Sequence, residues 1–419
     1  VGRQIDAYSG WAFATFNFAG AIQRQRHGDD DRMTDRFMNT YHRTGLVFDH
    51  GQGARLFTVE GKEYIDFTAG IGVNSLGHNH PRLVKAIADQ AAKTIHVCNY
   101  FMTEPSSELA QRITDAAGCD KVFFSNSGAE ANEAAIKIAR KYGSSKRPDK
   151  NVIVTLVDSF HGRTVTTLTA TGQEKFHKYF GPFTPGFVYV HANDLAELDA
   201  ALTDKVCGFW FEPIQGEGGV KMVSPEYLKA AEKMCKERDI LFMADEVQSG
   251  VGRPGAFLAC QKLGLTPDIV SVAKGLAGGV PIGATMARGA AADVLQVGDH
   301  GTTFGGNPLA AAAALVVLSE ISAPGFYDEV SRKGEWIRKE VGAWKHPVVK
   351  DVRGIGLMIG IGVTVPPDEV AAACRERGLL VLTAGEDTVR LLPPLVITDK
   401  DIAEGLSVLK ASLDAIKVQ

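Results

Sequence analysis

Lys274 and Asp245 are the two residues of this 419-residue chain whose types and positions could do chemistry together. Each follows an apolar run, DIVSVA before Lys274 and ILFMA before Asp245, and both runs read as buried strands. Lys and Asp are rarely buried without a strong partner, and an open α/β sheet binds ligands at the carboxyl ends of its strands. The pair suggests a lysine that forms a Schiff base and a carboxylate that holds a pyridinium nitrogen, as in pyridoxal phosphate enzymes. A structural ion pair at the sheet rim is the alternative, and these two residues alone do not decide.

The turn SNSGA could hold a phosphate. It follows the apolar run KVFF and opens a helix, so Ser127, Gly128 and Ala129 lie where free N–H groups and the helix dipole favour an anion. The turn is neither a Walker loop nor a G-x-G-x-x-G motif, which disfavours a dinucleotide. The stretch GTTFGGNP offers the hydroxyl groups of Thr302 and Thr303, and it indicates either another phosphate contact or a helix start.

The segment FHGRT follows the apolar run NVIVTLV and combines an aromatic ring with a guanidinium group. Phe160, close to the end of a predicted strand, can stack on a flat ring. Arg163 can bind a carboxylate through two parallel hydrogen bonds. A capped loop with a surface arginine is the alternative interpretation.

Two acidic loops, EPIQGEGG and DEVQSG, follow further apolar runs. They could hold a divalent metal together with His78 and His80, but no H-E-x-x-H or D-x-D-x-[DN] spacing supports that interpretation. Arg390 lies in the run TVRLLPPLVI, and an arginine in a strand most often faces solvent. Alternatively, Glu212 or Glu217 could neutralise Arg390 across a cleft between domains.

The elements that must position these residues read as short apolar strands alternating with helices. Continuous β-rich runs between helices predict a largely parallel sheet covered on both faces, and hence an α/β fold. After about residue 325 the pattern changes to a helix over 326–345, to strands near 349–362, 379–383 and 388–392, and to a final helix. This change predicts a separate, smaller α+β domain.

We therefore predict four segments. Residues 1–32 are expected to be an extension that is poorly ordered or non-native, with Met33 as the natural start. The alternative is an N-terminal arm that packs on a partner subunit. Residues 33–80 are expected to join the small domain, 81–325 to form the large domain, and 326–419 to form the C-terminal small domain.

The composition argues against several classes of function. The formal net charge of -4 predicts no broad attraction to nucleic acid or to an anionic membrane, and no apolar run is long enough to span a bilayer. The 6 cysteines are scattered without a C-x-x-C pair. That spacing argues against a zinc ribbon or a disulfide framework and is typical of a reducing cytosol. We expect a cytoplasmic protein with no nucleic-acid or membrane partner.

Taken together and in order, these motifs resemble those of fold-type I, class III pyridoxal-phosphate aminotransferases. The resemblance runs from about Leu46 to Leu413 and rests on SNSGAEANEAAIKIARKY, FHGRT, EPIQGEGGV, DEVQSGVGR, AKGLAGGVPIGA, HGTTFGGNPLA and VRLLPPLVIT. The resemblance implies a large domain with a mostly parallel central sheet, covered by helices, plus a smaller α+β domain. LTATGQEKF and CNYFMTEP are most similar to acetylornithine aminotransferases within that class. Pro254 stands where the class usually has threonine, and Gly70 stands where ornithine aminotransferases carry a tyrosine, which argues modestly against ornithine as the donor.

The resemblance also implies a role for each candidate residue. Lys274 is expected to form the Schiff base with pyridoxal 5′-phosphate, and Asp245 to keep the ring nitrogen protonated. The other expected cofactor contacts are Gln248 at the ring hydroxyl, Phe160 and Val247 on the two ring faces, Ser127, Gly128 and Ala129 at the phosphate, and Thr303 reaching the phosphate from the other subunit. The expected substrate contacts are Arg163 and Thr302 at a carboxylate, with Glu217 and Arg390 as a pair that switches between donor and acceptor.

The resemblance implies transfer of the ω-amino group of N2-acetyl-L-ornithine to 2-oxoglutarate, as in arginine biosynthesis, by a homodimer with shared active sites. N-succinyl-2,6-diaminopimelate is a second possible donor. A 4-aminobutyrate or ornithine aminotransferase is the nearest alternative, and a pyridoxal-phosphate aminomutase is a more distant one. A metal-dependent hydrolase built on the acidic loops is the alternative from another class, and no metal is expected.

Overall fold

The computed structural model describes residues 36–417, so the predicted extension at residues 1–32 and the start at Met33 lie outside the described residues. The chain divides into two compact units after Phe48.

The central sheet has seven strands. In spatial order they are Lys121–Ser125, Gly283–Ala287, Ile269–Val272, Leu241–Asp245, Val206–Phe211, Val152–Leu156 and Phe187–Val190. Only Gly283–Ala287 among them runs antiparallel to its neighbours. The connection from Val272 to Gly283 is short, and a short connection can join antiparallel strands but not parallel ones.

The middle of this sheet is buried on both faces. Every residue of Val206–Phe211, Leu241–Asp245 and Ile269–Val272 is buried. Such continuous apolar runs are typical of parallel strands that helices cover on both sides. The predicted α/β fold with a mostly parallel central sheet is confirmed.

Three smaller sheets complete the strands. One four-stranded sheet contains Phe48–Gln52, Arg55–Thr58, Glu63–Asp66 and Leu379–Leu380; a second contains Val349–Ile355, Met358–Val363, Thr388–Leu391 and Leu382–Ala384; a pair contains Ile214–Gln215 and Lys221–Met222. The predicted strand near 349–362 is therefore a hairpin. The predicted strand at 379–383 is divided between two sheets, so its first part pairs with Glu63–Asp66 in parallel.

The helices cover these sheets. The α-helices longer than one turn are Pro81–Lys93, Glu104–Ala117, Gly128–Lys146, Val165–Ala170, Leu195–Ala201, Pro225–Glu237, Ala259–Leu263, Pro308–Ile321, Phe326–Ala343, Pro367–Glu376 and Asp399–Asp414. Short 3₁₀ turns cover Glu174–Phe176, Lys274–Ala277 and Gly289–Asp293. Ser224 and Thr398 cap their helices through the side chain. The helix predicted over 326–345 ends slightly earlier, at Ala343.

Ala69–Gly72 is a single helical turn with left-handed backbone angles at Gly70 and Ile71. Among the described residues, no single helix is long and apolar enough to cross a membrane. Pro308–Ile321 and Phe326–Ala343 satisfy those criteria only as a pair, and the pair is bent by 74°. The division of residues 33–419 into a large and a small domain stays a prediction.

Candidate active site

The predicted site residues meet at one edge of the central sheet. Asp245 ends its strand, and Ser271 lies opposite it on the neighbouring strand. That neighbouring strand ends at Val272, and Lys274 lies two residues after this end. Glu212 comes directly after the strand on the other side. Because the carboxyl ends of parallel strands meet at the same edge, residues far apart in sequence converge there.

Asp245 is fixed by three hydrogen bonds. Its Oδ2 accepts from Asn132 Nδ2 at 2.7 Å and bonds to His161 Nδ1 at 2.8 Å, and its Oδ1 accepts from the amide of Val247 at 3.0 Å. Asp245 is only 4% exposed. A buried carboxylate that receives several donors is held in one orientation, so Asp245 can present a fixed negative charge to a ligand at the sheet edge.

His161 and Asn132 both bond to Asp245, and neither was among the residues that the sequence marked for the site. The His161 ring stacks on the Trp210 indole at 3.8 Å between centroids, and its Nε2 lies 3.2 Å from Thr155 Oγ1. Asn132 also donates to the carbonyl oxygen of His161 at 2.7 Å. The available signals were an amide among the alanines of AEANEAA and a histidine beside Phe160.

Lys274 begins a short 3₁₀ turn with φ of 41°, in the left-handed region that residues with side chains seldom occupy. It is partly buried and makes no hydrogen bond or ion pair with any residue that the structure describes. Burial lowers the pKa of Lys274 below its usual range, although the charges of Glu217, Asp245 and Glu212 partly oppose that effect. The amine of Lys274 can therefore lose its proton more easily than that of an exposed lysine.

The SNSGA turn has the form of an anion site. The Ser127 hydroxyl accepts from the amide of Glu130 at 3.2 Å and so caps the helix Gly128–Lys146. The amides of Gly128 and Ala129 then stand in the first turn, where no intrahelical partner exists. A Cβ on Gly128 would lie 2.6 Å from Val247 Cγ1. Glycine is therefore required for the helix start to approach the Asp245 loop so closely.

Thr302 and Thr303 differ in their surroundings. Thr302 Oγ1 accepts from the amide of Gly305 at 3.1 Å and lies 3.4 Å from Asn126 Nδ2, so it stands beside the SNSGA turn of its own chain. Thr303 is exposed and its hydroxyl group has no hydrogen-bond partner within residues 36–417. The structure therefore brings Thr302, but not Thr303, to this chain's turn.

Arg163 is held by aromatic rings rather than by a carboxylate. Its guanidinium group lies 4.2 Å from the centroid of Phe176 and 5.4 Å from that of Phe160. The Phe160 ring packs edge-on against Phe176 at 5.9 Å. Because Arg163 is also exposed, its hydrogen-bond donors remain available to an anionic ligand.

Arg390 and Glu217 form the charged pair that the sequence suggested. Arg390 Nη1 donates to Glu217 Oε1 at 2.6 Å, and Nη2 donates to Oε2 at 3.2 Å. Gln248 joins both partners, since its Oε1 accepts from Arg390 at 2.9 Å and its Nε2 donates to Glu217 at 3.0 Å. Arg390 is 2% exposed, so it does not face solvent as an isolated strand arginine usually does.

The charge of Glu217 depends on this pair. Burial alone would raise its pKa, but the charges of Arg390 and Lys274 and the hydrogen bonds from Arg390 and Gln248 outweigh burial and hold the pKa below its usual range. The resemblance implied that Gln248 contacts the ring hydroxyl of the cofactor. In this structure the oxygen of its amide is hydrogen-bonded to Arg390 and the nitrogen to Glu217.

Glu212 does not pair with Arg390, which was one of the two possibilities that the sequence left open. Its carboxylate accepts from the amide of Phe160 at 2.8 Å and from that of Gly216 at 3.3 Å. Burial and the nearby Asp245 carboxylate raise the pKa of Glu212 well above its usual range. Glu212 therefore ties the Phe160 loop to the Glu217 loop, and among the residues that the structure describes Glu217 is the carboxylate that pairs with Arg390.

Nothing in the described residues supports the metal alternative. No group of three or more His, Cys, Asp or Glu side chains within residues 36–417 could hold a metal ion. His78 Nε2 instead contacts Asp66 Oδ2 at 2.9 Å.

Comparison with known proteins agrees with this geometry. The family model described as aminotransferase class-III matches residues 37–413. The chain belongs to the class III aminotransferases. The acetylornithine aminotransferase of Caldanaerobacter subterraneus is 48% identical over 91% of this chain and 98% of its own. As a class III aminotransferase, the chain acts on small amino and keto acids, and the predicted transaminase is confirmed.

Solved structures extend the likeness to the fold. The ornithine aminotransferase of Toxoplasma gondii is 34% identical, with a TM-score of 0.90 over 95% of this chain and 97% of its own; its description reports partial occupancy of PLP at the active site. The N-acetylornithine aminotransferase of Stenotrophomonas maltophilia is 37% identical, with a TM-score of 0.79 over 91% of this chain and 98% of its own. The predicted fold-type I architecture is confirmed, whereas the individual residue roles stay predictions.

Proposed function

We propose that this class III aminotransferase uses pyridoxal 5′-phosphate to move the ω-amino group of N2-acetyl-L-ornithine to 2-oxoglutarate. The observation that carries the proposal is the buried Arg390–Glu217 pair within the same cluster of charges as Lys274. A site with this pair can present either a neutral surface or a free arginine, depending on where the Glu217 side chain lies. Relatives named acetylornithine aminotransferase, 43% to 48% identical to this chain, support the choice of donor.

The residues at the sheet edge fit the proposed cofactor. The close approach of Gly128 to Val247 leaves the first helix amides as a cradle for a phosphate, and Asp245 is fixed where it can hold a proton on a ring nitrogen. When bound, pyridoxal 5′-phosphate supplies an aldehyde for an amine and a ring that accepts electrons. Lys274 would hold the cofactor through its amine, and with its lowered pKa it could take up the proton of the substrate carbon and give it back.

The two substrates make opposite demands on Arg390. The donor presents its ω-amino end, and Arg163 binds the donor's carboxylate. Meanwhile Glu217 stays paired with Arg390 and so masks the charge of that arginine. The acceptor 2-oxoglutarate carries a second carboxylate, which replaces Glu217 on Arg390 through the same two parallel hydrogen bonds. Gln248 contacts both partners and can stay bound to either one during the exchange.

We also propose that the active enzyme is a homodimer with shared sites, in which Thr303 reaches the partner's phosphate. Exposed apolar side chains beside Thr303 support this proposal: Tyr100 is 94% exposed, Met102 87% and Phe304 59%. Asn99 ties the two segments together, since it donates to the carbonyl oxygens of Thr302 and Gly305 at 3.1 Å each. Apolar surface of this kind is typical of an interface between subunits. The cytoplasmic location, the absence of nucleic-acid and membrane partners and the use of N-succinyl-2,6-diaminopimelate stay predictions.

The test of the donor is a single-turnover experiment. Enzyme loaded with the cofactor is mixed separately with acetylornithine, ornithine and 4-aminobutyrate, and the absorbance of the bound cofactor is followed. We expect acetylornithine to react fastest, and a faster reaction with either other amine would overturn the choice of donor. Repeated turnover of an amine without 2-oxoglutarate, beyond one molecule per active site, would instead indicate an aminomutase.

A further inference from the structure

The loop that carries Glu217, residues 216–220, is strained and buried. Val220 has φ of 53°, although its β-branched side chain disfavours that region, and it is 0% exposed. A strained backbone persists only where its surroundings determine it fully. Something outside the Glu217 loop must therefore hold it in place.

Arg353 provides that hold. Its Nε and Nη2 both donate to the carbonyl oxygen of Gly219, at 3.0 Å and 2.7 Å. Nη2 also donates to Thr388 Oγ1 at 2.6 Å, and Nη1 donates to Asp351 Oδ1 at 2.5 Å. One guanidinium group thus binds the loop two residues after Glu217 and the strand two residues before Arg390.

The sheet aligns Arg353 with Arg390. Arg353 pairs with Gly360 on the next strand, and Gly360 pairs with Arg390 on the strand after that. Side chains at paired positions point to the same face of a sheet. The Glu217 loop therefore lies over a face that an arginine borders on each side, one of them holding its backbone and the other its carboxylate.

Glycine at position 360 makes room for the loop. A Cβ there would lie 2.8 Å from Val220 Cβ and 3.3 Å from the carbonyl oxygen of Gly219. The amide of Gly385 fixes the near end of the loop, since it donates to the carbonyl oxygen of Glu217 at 3.0 Å. The loop backbone is therefore held at residues 217 and 219, whereas the Glu217 side chain, 25% exposed, is held by its hydrogen bonds to Arg390 and Gln248.

We propose that Arg353 is a positioning residue for the donor–acceptor exchange, because it immobilises the Glu217 loop so that only the carboxylate moves. The proposal rests on the proposed function, in which Glu217 must mask Arg390 for the donor. Without Arg353, the loop would drift and Glu217 would mask Arg390 less often. The donor reaction should suffer, whereas 2-oxoglutarate, which needs Arg390 free, should not.

The first measurement does not involve turnover. Hydrogen–deuterium exchange of the full-length, cofactor-loaded protein is compared for wild type, Arg353→Met, Arg353→Lys and the control Arg332→Met. Arg332 is a suitable control because it pairs with Glu329 and Asp399 on the surface, away from the loop. We expect the amides of residues 217–220 to exchange about tenfold faster in Arg353→Met, on the scale of one lost hydrogen bond to a charged group. Arg353→Lys keeps the positive charge on a single donor nitrogen, so its exchange rate should lie between those of wild type and Arg353→Met.

The second measurement is the half-reaction rate with each substrate. In Arg353→Met, kcat/KM should fall about tenfold for the donor and change less than about twofold for 2-oxoglutarate. Unchanged exchange in the loop, or equal losses with both substrates, would overturn the proposal. If Arg353→Met does not fold, Arg353→Lys and Thr388→Val test the same contacts. The exchange result is independent of the donor's identity, so a wrong donor shows itself separately, as poor wild-type turnover of acetylornithine.

Discussion

Replacing Arg390 with alanine should separate the two half-reactions of this enzyme. Arg390 gives Glu217 two hydrogen bonds, at 2.6 Å and 3.2 Å, and its side chain is 3% exposed. The distal carboxylate of 2-oxoglutarate is expected to receive the same two bonds. Removing one partner of a buried, hydrogen-bonded charge pair costs about 2–5 kcal/mol, which corresponds to a loss of about 30-fold to 4,000-fold in kcat/KM for 2-oxoglutarate.

Acetylornithine should be affected much less. Its expected contacts do not include Arg390, and it loses only a neighbour that kept Glu217 in place. We therefore expect a loss of less than about tenfold for the donor. In the variant, the pKa of Glu217 should rise, because the opposing charge is gone while burial remains.

The assay is stopped-flow absorbance of the bound cofactor with one substrate at a time. Arg332→Ala serves as the control, since it removes an arginine whose ion pairs lie on the surface. Melting temperature and size of each variant are measured first, so that unfolding is recognised. Equal losses for donor and acceptor would refute the idea that Arg390 serves the acceptor selectively.

Three further predictions follow from the site. Lys274→Ala should abolish transamination without changing the size or far-ultraviolet dichroism of the protein; substantial residual turnover would contradict the Schiff-base role. Gly128→Val should weaken cofactor binding, because even a Cβ would lie 2.6 Å from Val247, and a fluorescence titration with the cofactor that matches wild type would argue against the cradle. Glu217→Gln tests the lowered pKa. The folded-state pKa of Glu217 lies below its ordinary 4.5, so its charge stabilises the fold above that pH and this contribution is lost as the pH falls through the folded pKa. The free energy of unfolding by urea should therefore differ most between the two proteins near pH 7 and least near about pH 3, and a difference that grows on acidification would be inconsistent.

Much of this site could be predicted from single residues at strand ends. Lys274, Asp245 and Phe160 each follow an apolar run, and parallel strands bring their carboxyl ends together whatever their order in the sheet. The SNSGA turn could also be predicted as an anion site, because the start of a helix exposes its amides in any fold. The resemblance to a known class then assigned roles that local pattern alone had left open.

The rest depends on contacts between distant segments. Nothing near Glu212 in the sequence distinguishes it from Glu217 as the partner of Arg390, since that choice depends on how the strand Thr388–Leu391 packs against the loop that carries Glu217. The contacts of Asn132 and His161 with Asp245 likewise require the folded helix and sheet. The antiparallel course of Gly283–Ala287 could not be predicted, because an apolar run carries no sign of its direction.

The pairing of Glu63–Asp66 with Leu379–Leu380 has a consequence for how the protein is made. Arg55, beside that strand, also bonds to Asp401, 346 residues further along the chain. During translation, the hairpin of Arg55–Thr58 and Glu63–Asp66 leaves the ribosome long before the strand Leu379–Leu380 has been synthesised. The edge of the hairpin stays open during that interval, and open edges invite association with other chains. The first sheet therefore closes only after residue 380 has been synthesised. Chains that stop short of residue 379 should be captured by chaperones or aggregate.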